Sequence, residues 1–396
     1  MKDLTKLTDR IFYVGVNDRT KHLFEGLWPL PLGVSYNAYL VCGERTALVD
    51  TVDACFTGRL LANVRERLGD RPLDYLVINH MEPDHSASIA AVRQAYPAVR
   101  IVGNAKTLQM IEGYYGIACG TVEVKEGDVL DLGGLTLAFC MIPMVHWPEV
   151  MVTYDEKDKI LFSADAFGTF GALNGGVTDE QLDVEPFWEE MRRYYACIVG
   201  KYGQPVQRAL AKVAPLDIAM ICSTHGPVWR REIARVVELY DKVSRYEGEP
   251  GAVIAYGSMY GNTEQMAETV ARGLAAAGVR PIVVYNLSTA DVSQVLRDIF
   301  RYDTLVVGSP TYNGQLYPPV DALLRKIAER CIPYRRFACF GSFTWAGAAV
   351  RRMTEFAEGM KWPVVGAPVE LKQGYSTAVE PACRMLVDAL VEDMKR

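Results

Sequence analysis

The chain has 396 residues, half of them hydrophobic and 23% charged, with 33 Gly and 20 Pro, proportions that exclude disordered, collagen-like and low-complexity classes. At roughly 100–200 residues per domain the length calls for two or three domains. The net charge of −6 argues against nucleic acid as a partner, and it is unevenly spread: residues 251–396 carry 16 Lys and Arg against 14 Asp and Glu, leaving −8 on residues 1–250.

The opening stretch Met1-Lys2-Asp3-Leu4-Thr5-Lys6 lacks the apolar run and cleavage site of a signal peptide, so a cytoplasmic protein is expected. The longest uncharged run, Gly26 to Gly43, is broken by Pro29, Pro31 and Gly33, and no membrane partner is expected. Nine scattered cysteines without a C-x-x-C pair read as free, mostly buried thiols and exclude a built-in rubredoxin or zinc ribbon.

Strands are expected over Ile11–Val16, Tyr36–Val41, Thr46–Val49, Leu73–Ile78, Thr121–Val124, Leu135–Cys140, Ile160–Phe162 and Ile218–Ile221, with helical segments such as Phe56–Leu68 and Phe187–Val199. Many strands with few helices fit a mixed α/β sandwich. A charged helical stretch, Trp229–Arg245, then runs into Tyr246-Glu247-Gly248-Glu249-Pro250-Gly251, a linker signal. The expected domains are 1–248 and 249–396. In the second, strand-like Ala252–Tyr256, Pro281–Tyr285, Thr304–Val307 and Phe337–Phe340 alternate with helical Thr263–Ala277, Asp291–Ile299, Val320–Glu329 and Ala346–Gly359, the rhythm of a doubly wound parallel sheet.

Four of the five histidines lie where an apolar strand gives way to a loop; His22 does not. His80-Met81-Glu82-Pro83-Asp84-His85 offers two imidazoles and two carboxylates within six residues. His146 follows 61 residues after His85, Asp165 19 residues later, and His225 60 residues after that. Loops at strand ends are where such folds place chemistry, and one edge of a sandwich can gather all these groups. In the second half, Ser258-Met259-Tyr260-Gly261-Asn262-Thr263 leads from a strand into a helix, an anion cradle of hydroxyls and backbone N–H groups; no G-x-G-x-x-G is present. Pro310-Thr311-Tyr312-Asn313-Gly314 and Ser342-Phe343-Thr344-Trp345-Ala346-Gly347 follow later strands. Each offers an aromatic among small residues, as a flat ring needs for stacking.

The first half resembles the metallo-β-lactamase fold, with its H-x-[HE]-x-D-H loop and later His, Asp and His; the second resembles flavodoxin, which implies FMN with its phosphate on the first loop. Where hydrolases of that fold usually carry His, this chain has Glu82, and a third carboxylate gives a harder pocket suited to iron. Together the halves resemble the flavodiiron proteins, of the rubredoxin:oxygen oxidoreductase type. The resemblance implies one iron on His80, Glu82 and His146, a second on Asp84, His85 and His225, with Asp165 and an oxo or hydroxo group bridging; in some members the residue matching His85 turns away.

It further implies reduction of O2 to water, of NO to N2O, or both, with electrons passed through FMN from an external rubredoxin or deazaflavin donor, in a head-to-tail homodimer or homotetramer. Many members carry His where this chain reads Phe24-Glu25-Gly26; either Glu25 replaces it as proton donor or the gas preference differs. Tyr195 resembles a tyrosine near the metals of the family, or is an ordinary helix-core residue. Arg335-Arg336 and Arg351-Arg352 form a basic rim for an acidic donor, or are solvated helix charges. The rivals are a zinc hydrolase fused to a flavin sensor and a flavodoxin-like carrier with a structural first domain.

Overall fold

The computed structural model describes residues 3–395, so Met1 and Lys2 of the opening stretch lie outside it. Two compact units divide between Ser244 and Arg245, a few residues before the division expected from the linker sequence.

The first unit stacks two sheets. One has the order β1 (Ile11–Tyr13), β2 (Tyr39–Cys42), β3 (Thr46–Val49), β4 (Tyr75–Val77), β5 (Arg100–Gly103), β6 (Thr121–Glu123), antiparallel as far as β3 and parallel beyond it. The other runs β7 (Val129–Asp131), β8 (Thr136–Met141), β9 (Met151–Asp155), β10 (Ile160–Phe162), β11 (Met220–Cys222), with only the last pair parallel. Strands β3, β4 and β10, inside their sheets, and the edge strand β11 are buried along their whole length, which explains their continuous apolar runs without alternation. The sheets meet through contacts such as the Tyr39 and Phe162 rings, 5.4 Å apart.

The strand ends that leave this interface carry the chemistry. β4 runs into the His80 loop, β8 into the His146 loop, β10 into Asp165 and β11 into His225. Strands β5, β7 and β9 were not anticipated. β7 is a short, mostly exposed edge strand of three residues, and β9 follows a Pro-containing loop that hides its start.

The second unit is a parallel sheet in the order β13 (Ile282–Asn286), β12 (Glu249–Tyr256), β14 (Tyr302–Tyr312), β15 (Arg336–Phe343), β16 (Val369–Lys372). The order reverses beside β12, and ligands of such sheets bind beyond the carboxyl ends of the strands at that switch. Helices Asn262–Ala276 and Glu380–Met394 pack through Met266, Val270, Leu274, Cys383 and Leu386 onto the sheet.

Candidate metal centre and flavin pocket

The His80 loop is anchored before it begins. Asp50, at the end of β3 with φ +57°, accepts from the main-chain N–H of Asn79 at 2.7 Å and from its amide at 3.1 Å. Burial pushes the Asp50 carboxyl up to about 6. Pro83 then opens a single helical turn, Pro83–Ser86, whose first residues are Asp84 and His85. Thr51 fastens the turn by donating its N–H and its hydroxyl to the His85 carbonyl.

The loops bring together all seven residues singled out in the sequence, every one of them buried. His80, Glu82, His146 and Asp165 place one donor atom each within 4.8 Å of one another, and Asp84, His85 and His225 do the same. Asp165 reaches both groups: Oδ2 lies 3.1 Å from His146 Nε2 and Oδ1 lies 3.0 Å from His85 Nε2. His85 turns inward, with its Nε2 3.0 Å from that of His225.

The outer ring nitrogens are held from behind. Glu149 Oε1 accepts from His80 Nδ1 at 2.8 Å and from the Met81 N–H at 2.9 Å, and the Ser35 carbonyl accepts from His225 Nδ1 at 2.7 Å. These bonds present Nε2 of both rings to the centre, the usual support of a metal-binding imidazole. Aromatic rings wall the cluster: Phe24 and Tyr36 lie 5.4 and 5.9 Å from His225, and Trp147 lies 5.4 Å from His80.

The charges test what the site holds. Three buried carboxylates are costly unless cations answer them, and both oxygens of Asp84 are buried without a hydrogen-bond partner, as is His80 Nε2. Unless a cation is bound, the imidazole rings must answer them with protons. Burial pushes His146 down, but its hydrogen bonds to Asp165 and Glu82 outweigh that and carry it up to about 9. His85 likewise rises to about 9 against burial, under the charges of Asp84 and Asp165. Asp165, despite burial, is held well below the usual carboxylate range by His80 and His85. Two divalent cations would replace those protons, and an all-nitrogen and oxygen donor set with three carboxylates suits iron.

A cavity of ≈ 210 Å³ opens onto Glu82 and Asp84, lined also by Lys21, Phe24, Glu25, Pro83 and Asp53. Glu25 sits with Gly26 in a tight turn, both at positive φ (52° and 68°), between strands Leu23–Phe24 and Trp28–Pro29. Its carboxylate accepts from Trp28 Nε1 at 3.2 Å. Lys21 donates to Asp53 at 2.8 Å and to the Tyr36 hydroxyl at 3.1 Å. Tyr195 packs its ring edge-on to Tyr240 at 5.3 Å. The tyrosine against the cluster is its neighbour Tyr194, 5.5 Å from His225, with a buried hydroxyl that has no hydrogen-bond partner. The helix Glu185–Tyr194 passes into a π-turn, Tyr195–Val199, which resets which residues face inward.

In the second unit a pocket of ≈ 390 Å³ is lined by the three expected loops, at 258–260, 262–263, 310–314 and 342–346, and by Gln373, which the sequence did not flag. Gly261 and Gly347 shape the loops instead. Gly261 has φ +85° and bonds its N–H to the Ser258 hydroxyl at 3.1 Å, while a Cβ on Gly347 would lie 2.5 Å from Glu370. Thr311 Oγ1 accepts from the N–H groups of Ala348 and Ala349 at 3.0 and 3.1 Å, tying the second loop to the third. Tyr260 and Trp345 are 90% and 88% exposed at the pocket, large rings free to stack on a planar ligand. No acidic residue lines the pocket, which suits an anionic phosphate at the start of helix Asn262–Ala276.

The basic rim does not form as expected. Arg335 is buried and donates to the carbonyls of Ile299, Phe300 and Tyr246; burial lowers its pKa to about 10. Arg336 pairs with Asp303 at 2.7 Å and Asp393 at 2.8 Å, and Arg351 and Arg352 share Glu355 at 2.7 and 3.6 Å. Only this last pair is a solvated helix charge.

Comparison with known proteins agrees with both halves. Residues 34–226 match the ODP family beta lactamase and residues 254–384 match flavodoxin. The chain is 31% identical over 372 residues to a nitric oxide reductase of Moorella thermoacetica, covering 93% of each. It is 33% identical over 352 residues to the anaerobic nitric oxide reductase flavorubredoxin of Escherichia coli, covering 87% of this chain and 73% of that protein. In structure it is similar to rubredoxin oxygen:oxidoreductase from Desulfovibrio gigas, with TM-score 0.95 and 30% identity over 99% and 98% of the two chains. The flavodiiron protein of Giardia intestinalis is also similar, with TM-score 0.94 and 26% identity over 100% and 97%. Matches of this length across both units establish that the chain belongs to the flavodiiron proteins, oxidoreductases that carry FMN and a diiron centre.

Proposed function

We propose that this flavodiiron oxidoreductase reduces O2 to water. The observation that carries the reading is the Glu25 carboxyl beside the cavity that opens onto Glu82 and Asp84. Partial burial, then the charge of Glu82, pushes its pKa up, which favours the protonated acid where product oxygen must be protonated. Reduction of O2 to two waters takes four protons, whereas conversion of two NO to N2O and water takes two. The iron pair and FMN, when bound, supply the gas-binding and electron-transfer chemistry. His80, Glu82 and His146 would hold one iron and Asp84, His85 and His225 the other, with Asp165 reaching both groups. Lys21 and Asp53 line the same cavity and, with Tyr36, offer a second line of exchangeable protons. Glu82 in the metal loop, where hydrolases of this fold usually carry His, disfavours a zinc hydrolase.

A second reading, scavenging reduction of NO to N2O, is favoured by the names of the Moorella and Escherichia relatives. The donor is an external protein or cofactor, with rubredoxin supported by the name of the Desulfovibrio protein. A head-to-tail dimer is supported by exposed Leu23, Leu27 and Leu32 around the Glu25 turn of one copy and exposed Tyr260 and Trp345 on another. Among the described residues no helix is long and apolar enough to cross a membrane.

The deciding experiment is anaerobic stopped-flow of the iron- and FMN-loaded protein, reduced with dithionite and mixed separately with O2 and NO. Fast reoxidation by O2 without peroxide release, with slow NO turnover, is expected. Rapid N2O formation with sluggish O2 uptake would make NO the substrate, and zinc content with neither gas consumed would overturn both.

A further inference from the structure

A second cavity in the first unit shares no lining residue with the one at Glu25. It lies between the outer, helix-covered faces of β9 and β10, which contribute Val152 and Leu161, and the helix Gly203–Val213, which contributes Ala209 and Leu210. Its room for the centre of a water-sized sphere is ≈ 20 Å³, against the roughly 10–15 Å³ that one small molecule requires. No charged residue lines it, and the Tyr240 hydroxyl is the one polar side-chain atom among the lining residues. A water needs two to four polar partners, so this space stays dry, and an ion would lose its hydration without replacement. Dry apolar cavities of this kind take up xenon and other uncharged apolar molecules.

Its position gives that property a use. Val145 of the lining precedes His146, and Ala166 and Phe167 follow Asp165, so the cavity wall includes the backbone that presents two of the cluster's donors. At the other end Ala209 and Leu210 are only half-buried. The lining thus extends from near the surface to the neighbours of the cluster, without passing the charged mouth at Glu25.

We propose that this cavity is a docking site for the neutral diatomic substrate, O2 or NO, on its way to the cluster. The inference rests on the reading that the substrate is a gas. An uncharged diatomic molecule prefers an apolar space to water, while protons enter through the acidic cavity at Glu25, so the two co-substrates arrive by different faces of the centre.

The test uses the iron- and FMN-loaded enzyme and Ala209→Phe, which puts a ring into the cavity from a half-buried helix position. Xenon-pressurised crystals of the unaltered enzyme should show xenon between Leu161 and Leu210, and the variant should not. In stopped-flow, the second-order rate constant of the reduced variant should fall at least about threefold for whichever gas the enzyme consumes, with FMN reduction by dithionite unaltered. Running both O2 and NO identifies the occupant. Absence of xenon in the unaltered enzyme overturns the proposal, and so does a gas rate constant unaltered in a variant that excludes xenon. Should Ala209→Phe fail to fold, the xenon arm on the unaltered enzyme still decides. Consumption of neither gas by the unaltered enzyme would sink the gas-reductase reading instead.

Discussion

Glu149 Oε1 accepts the Nδ1 proton of His80 at 2.8 Å, and this single contact leaves His80 Nε2 bare, 3.4 Å from both Glu82 and Asp165. Burial favours the neutral acid, but the hydrogen bond from His80 holds the Glu149 carboxyl below the usual glutamate range, so it accepts as an anion. Glu149→Ala should therefore weaken iron binding by about 10- to 100-fold, read by chelator competition. Glu149→Gln, which retains an acceptor oxygen, should lose less. FMN content should be unaltered in both. Equal iron affinity in all three proteins would remove Glu149 from the support of His80.

Asp84 makes a prediction about metal removal. Both its oxygens are buried and unpartnered, and they lie beside two imidazoles, with Oδ2 3.4 Å from His85 and 3.3 Å from His225. A ligand that binds only the folded state stabilises it by about 4 kcal/mol when present at a thousand times its Kd. Chelation should accordingly lower the melting temperature of the first unit. In Asp84→Asn the iron-dependent rise should shrink, while the metal-free protein should melt at or above the unaltered metal-free protein. A metal-free Asp84→Asn protein that melts lower would mean the carboxylate is satisfied without a cation.

The two sites were legible in the sequence for one physical reason: both sit at strand ends, where apolar runs stop abruptly and the residues that follow are chemically unusual. His80 through His85, His146, Asp165 and His225 could be picked out because each follows such a run. What could not be read was anything set by helical phase or by the second layer. Glu149 gives no signal, because a lone Glu after Pro148 looks like any loop carboxylate. Tyr194 and Tyr195 differ by one step of a helix, and the π-turn that decides between them has no sequence mark. Gln373 lies beyond an edge strand whose short alternating stretch, Val369–Lys372, was too weak to predict. Arg335 reads as a surface charge, yet it is buried and four carbonyls accept from it.

Tyr194 and Tyr195 can be separated by experiment. Tyr194→Phe removes a buried hydroxyl without a partner beside His225, so stability should hold or rise slightly while the pH profile or rate of gas reduction changes. Tyr195→Phe should leave the gas kinetics alone, since that ring faces Tyr240. The reverse pattern in stopped-flow would restore Tyr195 as the tyrosine that serves the centre.

At the flavin pocket, Trp345 is 88% exposed, so it contributes little to folding and its truncation isolates ligand stacking. Aromatic pairing is worth about 0.5–1.5 kcal/mol beyond burial of area, so Trp345→Ala should raise the Kd for FMN by roughly tenfold, read by flavin fluorescence quenching. The melting temperature of the flavin-free protein should not move. An unaltered Kd would place the isoalloxazine on the Tyr260 or Tyr312 side of the pocket instead.

Glu25 carries the pH dependence. Partial burial first, and then the charge of Glu82, raise its pKa above that of an ordinary glutamate. A proton donor acts in its protonated form, so the sign is fixed: the contribution of Glu25 is full below its folded pKa and lost as pH rises through it. Gas reduction should therefore decline on the alkaline side through an inflection above the ordinary glutamate range. Glu25→Gln cannot donate, and should lower the rate by ~100-fold, at the modest end for general acid catalysis, and flatten that inflection. Glu25→His should restore much of the rate and move the inflection toward about 6.5, the unperturbed histidine value. Glu, Gln and His share the strain of φ +52° at residue 25, and each variant is compared at equal iron and FMN content. A pH profile whose inflection stays in place when Glu25 becomes Gln or His would mean that the protons come through the Lys21, Asp53 and Tyr36 wall.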